Sequence, residues 1–116
     1  MKKIALFAFN GEPMCFAHVL LNAVDLAGRG HEVTVVIEGA ATRLVKEYRE
    51  DHTLPFARMY HRAIEEGLIG CVCEACSAQM GSQKAAESQQ LPVCGEMSGH
   101  PSIGRYLEQG YEIITF

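Results

Sequence analysis

From end to end, the chain alternates short apolar runs with longer stretches of helical periodicity, and few folds satisfy that pattern. Residues 2–9 (KKIALFAF), 32–37 (EVTVVI), 68–72 (LIGCV) and 111–116 (YEIITF) read as strands, and 91–94 (LPVC) as a short extended piece. The first of these is a continuous apolar run, as expected of a strand buried on both faces. Between them, Met14–Gly28 places Phe16, Val19, Leu20, Ala23, Val24 and Ala27 on one helical face. Gly28-Arg29-Gly30 stops that helix. Further helices are expected over Ala40–Tyr48, from Pro55 to Glu66, from Glu74 to about Ser88 with Gly81 as a soft spot, and over Pro101–Gln109. Strands alternating with crossover-length helices predict an α/β domain: a mainly parallel sheet of about five strands, with helices on both faces in a flavodoxin-like layering.

At 116 residues the chain makes a single domain, 1–116, and its 48% hydrophobic content is enough for a real core. The net charge of -4, with no block of Lys or Arg, argues against a nucleic-acid surface. Met1-Lys2-Lys3 precedes only six apolar residues, so this region reads as a first strand, not a leader. No segment is long enough to span a membrane, and a cytoplasmic location is expected, where thiols stay reduced.

In parallel sheets, chemistry gathers at the carboxyl ends of the strands. Three segments lie there: Asn10–Cys15, Glu38-Gly39-Ala40 and Cys71-Val72-Cys73-Glu74-Ala75-Cys76. The last carries three of five cysteines in six residues, and an odd, crowded count argues against a simple disulfide framework. Cys73 falls where a strand becomes a helix. The first-turn amides carry partial positive charge and are expected to lower its pKa, as a sulfur nucleophile requires. Cys76, one turn on, is placed to resolve an oxidised or persulfidated Cys73. Cys71 shares the face of Cys73 and is expected to be a buried strand residue. The alternative is a metal: Cys71, Cys73 and Cys76 with Cys94 or His100 offer soft ligands for zinc or an iron–sulfur cluster.

Other candidates are weaker. Cys15 and His18 follow the Gly11-Glu12-Pro13 turn at the same sheet edge. Cys15 either approaches Cys73 or packs inward, and a lone His18 is a weak candidate. The glycine-rich segment Cys94–Ser102 is expected to fold over the cysteine loop, with Cys94 either a sulfur acceptor or a core residue. Ser98 or Ser102 is expected to cap the last helix. Asn10-Gly11-Glu12-Pro13 lacks the pattern of a phosphate loop, and no cofactor is expected. Arg58, His61, Arg62 and Glu65 are spaced as a solvated helix face, with His52 nearby. The alternative there is an oligomer interface, since Leu54, Phe56, Met59 and Tyr60 bring apolar surface close by.

The run Val72-Cys73-Glu74-Ala75-Cys76-Ser77-Ala78-Gln79-Met80-Gly81 resembles the cysteine loop of the DsrE/DsrF-like family, in which a Cys ends a central strand and a Gly follows eight residues later. The Lys-Ile-Ala-Leu-Phe, Gly-His-Glu-Val and Gly-Tyr-Glu-Ile-Ile-Thr-Phe segments extend the resemblance over nearly the whole chain. It implies a small parallel α/β domain in trimers or hexamers that relays sulfane sulfur as a persulfide on the loop cysteine, here Cys73. Protein sulfur donors and acceptors are the implied partners, and a sulfurtransferase activity is the implied enzymology. Cys71 and Cys76 are additions to that pattern and keep a redox or metal variant open. A non-catalytic oligomeric binding subunit is the third reading.

Overall fold

The computed structural model describes residues 1–116. Its strands are β1 (Lys3–Ala8), β2 (Glu32–Ile37), β3 (Ile69–Cys73), β4 (Val93–Cys94) and β5 (Glu112–Thr115). They form one wholly parallel sheet in the order β4-β3-β2-β1-β5. The helices are α1 (Pro13–Gly28), α2 (Thr42–Glu50, entered through a 3-10 turn at Gly39–Ala41), α3 (Ala57–Glu65), α4 (Glu74–Gln79), α5 (Gln83–Ser88) and α6 (Ile103–Glu108). The order explains the sequence of β1. It lies between β2 and β5 and is covered on both faces, so Ile4 to Ala8 are all buried.

Alternation along β1 divides the core. Ile4, Leu6 and Ala8 face a main core shared with α1, α2, α3 and α5, whereas Ala5 and Phe7 face a small one closed by Tyr106 of α6. In the main core Phe16, Tyr48 and Tyr60 form an aromatic trio with centroids 5.2 to 6.3 Å apart. Tyr60 is therefore no surface residue, contrary to the expectation from its helix. It is fully buried, and its hydroxyl donates to Gln89 Oε1 at 3.0 Å. The opposite face is thinly covered, with Phe7 meeting Tyr106 edge-on at 5.4 Å.

The helix expected over Glu74–Ser88 is two helices. Gly81 adopts φ +71°, a left-handed conformation that ends α4, and the Ser82 amide turns back to the Ser77 carbonyl at 2.7 Å.

The short strand β4 pairs Val93 with Val72 and Cys94 with Cys73. Cys94 and Cys71 are joined in a disulfide, with Cα atoms 5.9 Å apart and a sequence separation of 23. This corrects two expectations. The odd cysteine count does not preclude a disulfide, because one pair forms and Cys15, Cys73 and Cys76 stay free. Cys71 is buried as expected, but bonded. The disulfide ties a two-residue strand to the sheet and constrains the unfolded chain. Replacing both Cys71→Ala and Cys94→Ala is expected to lower stability by about 3 kcal/mol in urea unfolding; a loss below ~1 kcal/mol would contradict that role.

A cysteine–histidine site at the sheet edge

Strand β3 ends at Cys73, which also serves as the N-cap of α4. Its Sγ accepts the Cys76 amide N–H at 3.4 Å, so the thiol sits against the first turn of the helix. Cys73 is fully buried, and Cys76 is half-buried.

The segment after β4 folds over this turn. The Gly99 amide donates to the Gly95 carbonyl at 3.1 Å, and Met97 and His100 exchange backbone hydrogen bonds at 2.8 and 3.0 Å. The Ala75 amide donates to the Gly99 carbonyl at 2.9 Å, which fastens the loop to α4. Gly99 adopts φ +92°, and a Cβ there would lie 3.1 Å from Ala75 Cβ, so only glycine seats this loop without strain. On the far side the Ser102 hydroxyl caps α6 by accepting the Arg105 amide at 3.2 Å, and the Glu96 carboxylate accepts the Ser102 amide at 2.8 Å.

This fold-over delivers His100 to the thiols. Its Nδ1 lies 3.2 Å from Cys73 Sγ and 3.7 Å from Cys76 Sγ, and the Gly99 carbonyl is 3.6 Å from Cys73 Sγ. With the ring proton on Nε2, Nδ1 is an acceptor for a thiol proton.

The electrostatics differ from the sequence expectation. Burial pushes the Cys73 thiol up to about 11. The Cys76 amide opposes that shift, and the Cys76 thiol and Glu38 carboxylate add to it. Desolvation thus outweighs the helix terminus, and Cys73 rests as a thiol, not a thiolate. Glu38, just after β2, is the neighbour the sequence reading did not single out. Burial raises its carboxyl above the ordinary value, while His100 pulls it back. The only available signal was its place at a strand's carboxyl end.

The remaining candidates lie apart. Cys15 is exposed, neither packed inward nor part of the Cys73 cluster. With Glu12, Met14, His18 and Phe116 it lines an apolar groove of about 600 Å³. Cys94 is held in the disulfide and offers no free thiol to accept sulfur. That bond also removes the four-cysteine ligand set: Cys71 and Cys94 have no free sulfur to give, and the group that converges is Cys73, Cys76 and His100. His52, Phe56, Arg58, Met59, His61, Arg62 and Glu65 surround a separate open cavity of about 700 Å³.

Comparison with known proteins agrees over the full length. The DsrE/DsrF-like family profile matches residues 3–116. The uncharacterized protein MJ0733 of Methanocaldococcus jannaschii is 34% identical over 98 residues, covering 84% of this chain and 76% of that one. An uncharacterized Archaeoglobus fulgidus protein is 54% identical over 37 residues, which is 32% of this chain and all of the shorter one. Among solved structures, the conserved protein of unknown function BT1422 from Bacteroides thetaiotaomicron superposes with a TM-score of 0.70 at 15% identity. That match covers 99% of this chain and 95% of the other, and it is a likeness of fold. No helix is long and apolar enough to cross a membrane.

Proposed function

The chain belongs to the DsrE/DsrF-like family, and from that premise we propose that it is a sulfur-relay protein that carries a persulfide on Cys73 and passes the outer sulfur to a partner thiol. The observation that carries this reading is the 3.2 Å contact between Cys73 Sγ and His100 Nδ1. A buried thiol with a raised pKa needs a base at hand, and a nucleophile–base pair within hydrogen-bond reach is the recurring solution. His100 takes the Cys73 proton, and the Glu38 carboxylate acts electrostatically on the imidazolium that results. The Cys73 thiolate attacks the outer sulfur of a donor persulfide. The new bond joins Cys73 Sγ to that sulfur, the donor's S–S bond breaks, and the donor leaves as a thiolate. In unloading, the acceptor thiolate attacks the outer sulfur, and Cys73 departs as a thiolate that recovers its proton from His100.

Cys76, 3.7 Å from the same imidazole, has a second role. It attacks the inner sulfur of a loaded Cys73, forms the Cys73–Cys76 disulfide and expels hydrogen sulfide. This is how it resolves a persulfide left without an acceptor. The cytoplasm is the proposed location, since Cys73 and Cys76 must stay reduced to load. A homo-oligomer is the proposed assembly. Ile103 and Leu107 are exposed on α6, over the thinly covered side of the sheet, and supply apolar area for it.

Intact-mass measurement after incubation with a low-molecular-weight persulfide tests the reading. Cys76→Ser, which cannot resolve the product, is expected to gain a single sulfur that a reductant removes, and the wild type to gain the same sulfur or end as the Cys73–Cys76 disulfide. Failure of Cys76→Ser to gain it, with Cys73 confirmed as a free thiol, would overturn the proposal.

A further inference from the structure

We infer that Cys73, Cys76 and His100 form a binding site for Zn2+, with two thiolates and one imidazole as protein ligands and a fourth position open. The three donor atoms lie within 4.8 Å of one another, with His100 Nδ1 at 3.2 Å from one sulfur and 3.7 Å from the other. A tetrahedral zinc ion with ordinary Zn–S and Zn–N bonds separates its sulfur and nitrogen ligands by about 3.5 Å, and two sulfurs by about 3.8 Å. The trio therefore closes on an ion with shifts of well under the length of a bond.

The donor set selects the metal class. Two thiolates and an imidazole favour a borderline-soft d10 cation over the oxygen-seeking Mg2+ or Ca2+. A four-cysteine iron–sulfur cluster is excluded in this disulfide-bonded form, because Cys71 and Cys94 are bonded to each other. The surroundings suit a cation as well. Glu38 is close enough to act electrostatically on both His100 and Cys73, and it adds negative charge beside the ion. The ligands also sit on unlike supports, a strand end, a helix turn and a loop pinned by Gly99, so the loop and the cysteine turn close together on the metal. On binding, each thiol releases its proton to solvent as its sulfur lone pair goes to zinc, and His100 keeps its ring proton on Nε2.

This site does not depend on sulfur transfer, and its test contains no sulfur donor. Full-length protein with the Cys71–Cys94 bond intact and three free thiols is incubated with Zn2+ alone, desalted and assayed for zinc. Close to one ion per chain is expected. Cys73→Ser and Cys76→Ser each lose it, and His100→Ala weakens it at least ~10-fold. Replacing Zn2+ with Co2+ is expected to give thiolate-to-cobalt charge-transfer absorption. Circular dichroism of each variant separates loss of a ligand from loss of the fold. Absence of zinc from the wild type, retention of zinc by folded protein carrying both serines, or a cobalt complex without the thiolate band would each overturn the inference. In zinc-loaded wild type, Cys73 is expected to resist alkylation until a chelator is added; unchanged alkylation would count against the site.

Discussion

Cys73→Ala is expected to abolish sulfur uptake while leaving the protein folded. The side chain occupies a fully buried position at the end of β3, and Sγ→H removes one heavy atom, so the packing loss is at the small end of core truncations. One cap interaction also goes, because the Cys76 amide loses the Sγ it donates to. Of the two thiols that remain free, Cys76 keeps only the longer 3.7 Å contact with His100, and Cys15 lies in a different groove. The measurement is intact mass after persulfide treatment, with far-UV circular dichroism on the same sample. A folded Cys73→Ala protein that still gains a reductant-labile sulfur would move the carrier role to another cysteine.

The second large effect is in pH. A thiol held near 11 is ionised about 100-fold less at neutral pH than one at its ordinary value of 9.0. Because Cys73 is an acid with a raised pKa, its thiolate is scarce below that value and accumulates only as pH climbs toward it. With the protein kept metal-free by a chelator, Cys73 alkylation by a neutral reagent is expected to rise about tenfold per pH unit from 7 to 10 and to level only near 11. A plateau by pH 9 would show that the helix terminus and His100 outweigh burial. The same burial explains why a base is needed. At neutral pH the route to the nucleophile runs through the Cys73–His100 contact, not through a standing population of thiolate.

Much of the architecture was legible in the sequence because a parallel sheet leaves a coarse signature. The apolar, β-branched runs at β1, β2 and β3 and the helical face of α1 follow from burial alone. What eluded that reading depends on contacts between distant segments. Tyr60 shares the inward face of α3 with the small residues Ala57 and Ala63, a stripe too weakly apolar to stand out beside the charged face of Arg58, Arg62 and Glu65. Cys71 and Cys94 pair because β4 docks beside β3, a register that a two-residue strand cannot announce. At the site, Cys73 and Cys76 are identifiable from their place at a strand-to-helix junction, and His100 as an alternative metal ligand in a glycine-rich loop, but not as the base beside Cys73. Its role emerges from φ at Gly99 and the Ala75–Gly99 hydrogen bond, which aim the ring at the thiols. The first-turn amides that lower the Cys73 pKa are visible in sequence, whereas the desolvation that overrides them is a property of the packed edge.

The central claim is that sulfur held by Cys73 leaves for another molecule. Its most direct test loads the wild-type chain from a limiting amount of donor with an isotopically labelled outer sulfur, in the presence of excess acceptor thiol so that transfer competes with resolution by Cys76. The account predicts that the label appears on the acceptor as a persulfide while the chain returns to its starting mass with Cys73 free. Label that stays on the chain, or that leaves only as hydrogen sulfide with a Cys73–Cys76 disulfide behind even in excess acceptor, would contradict it.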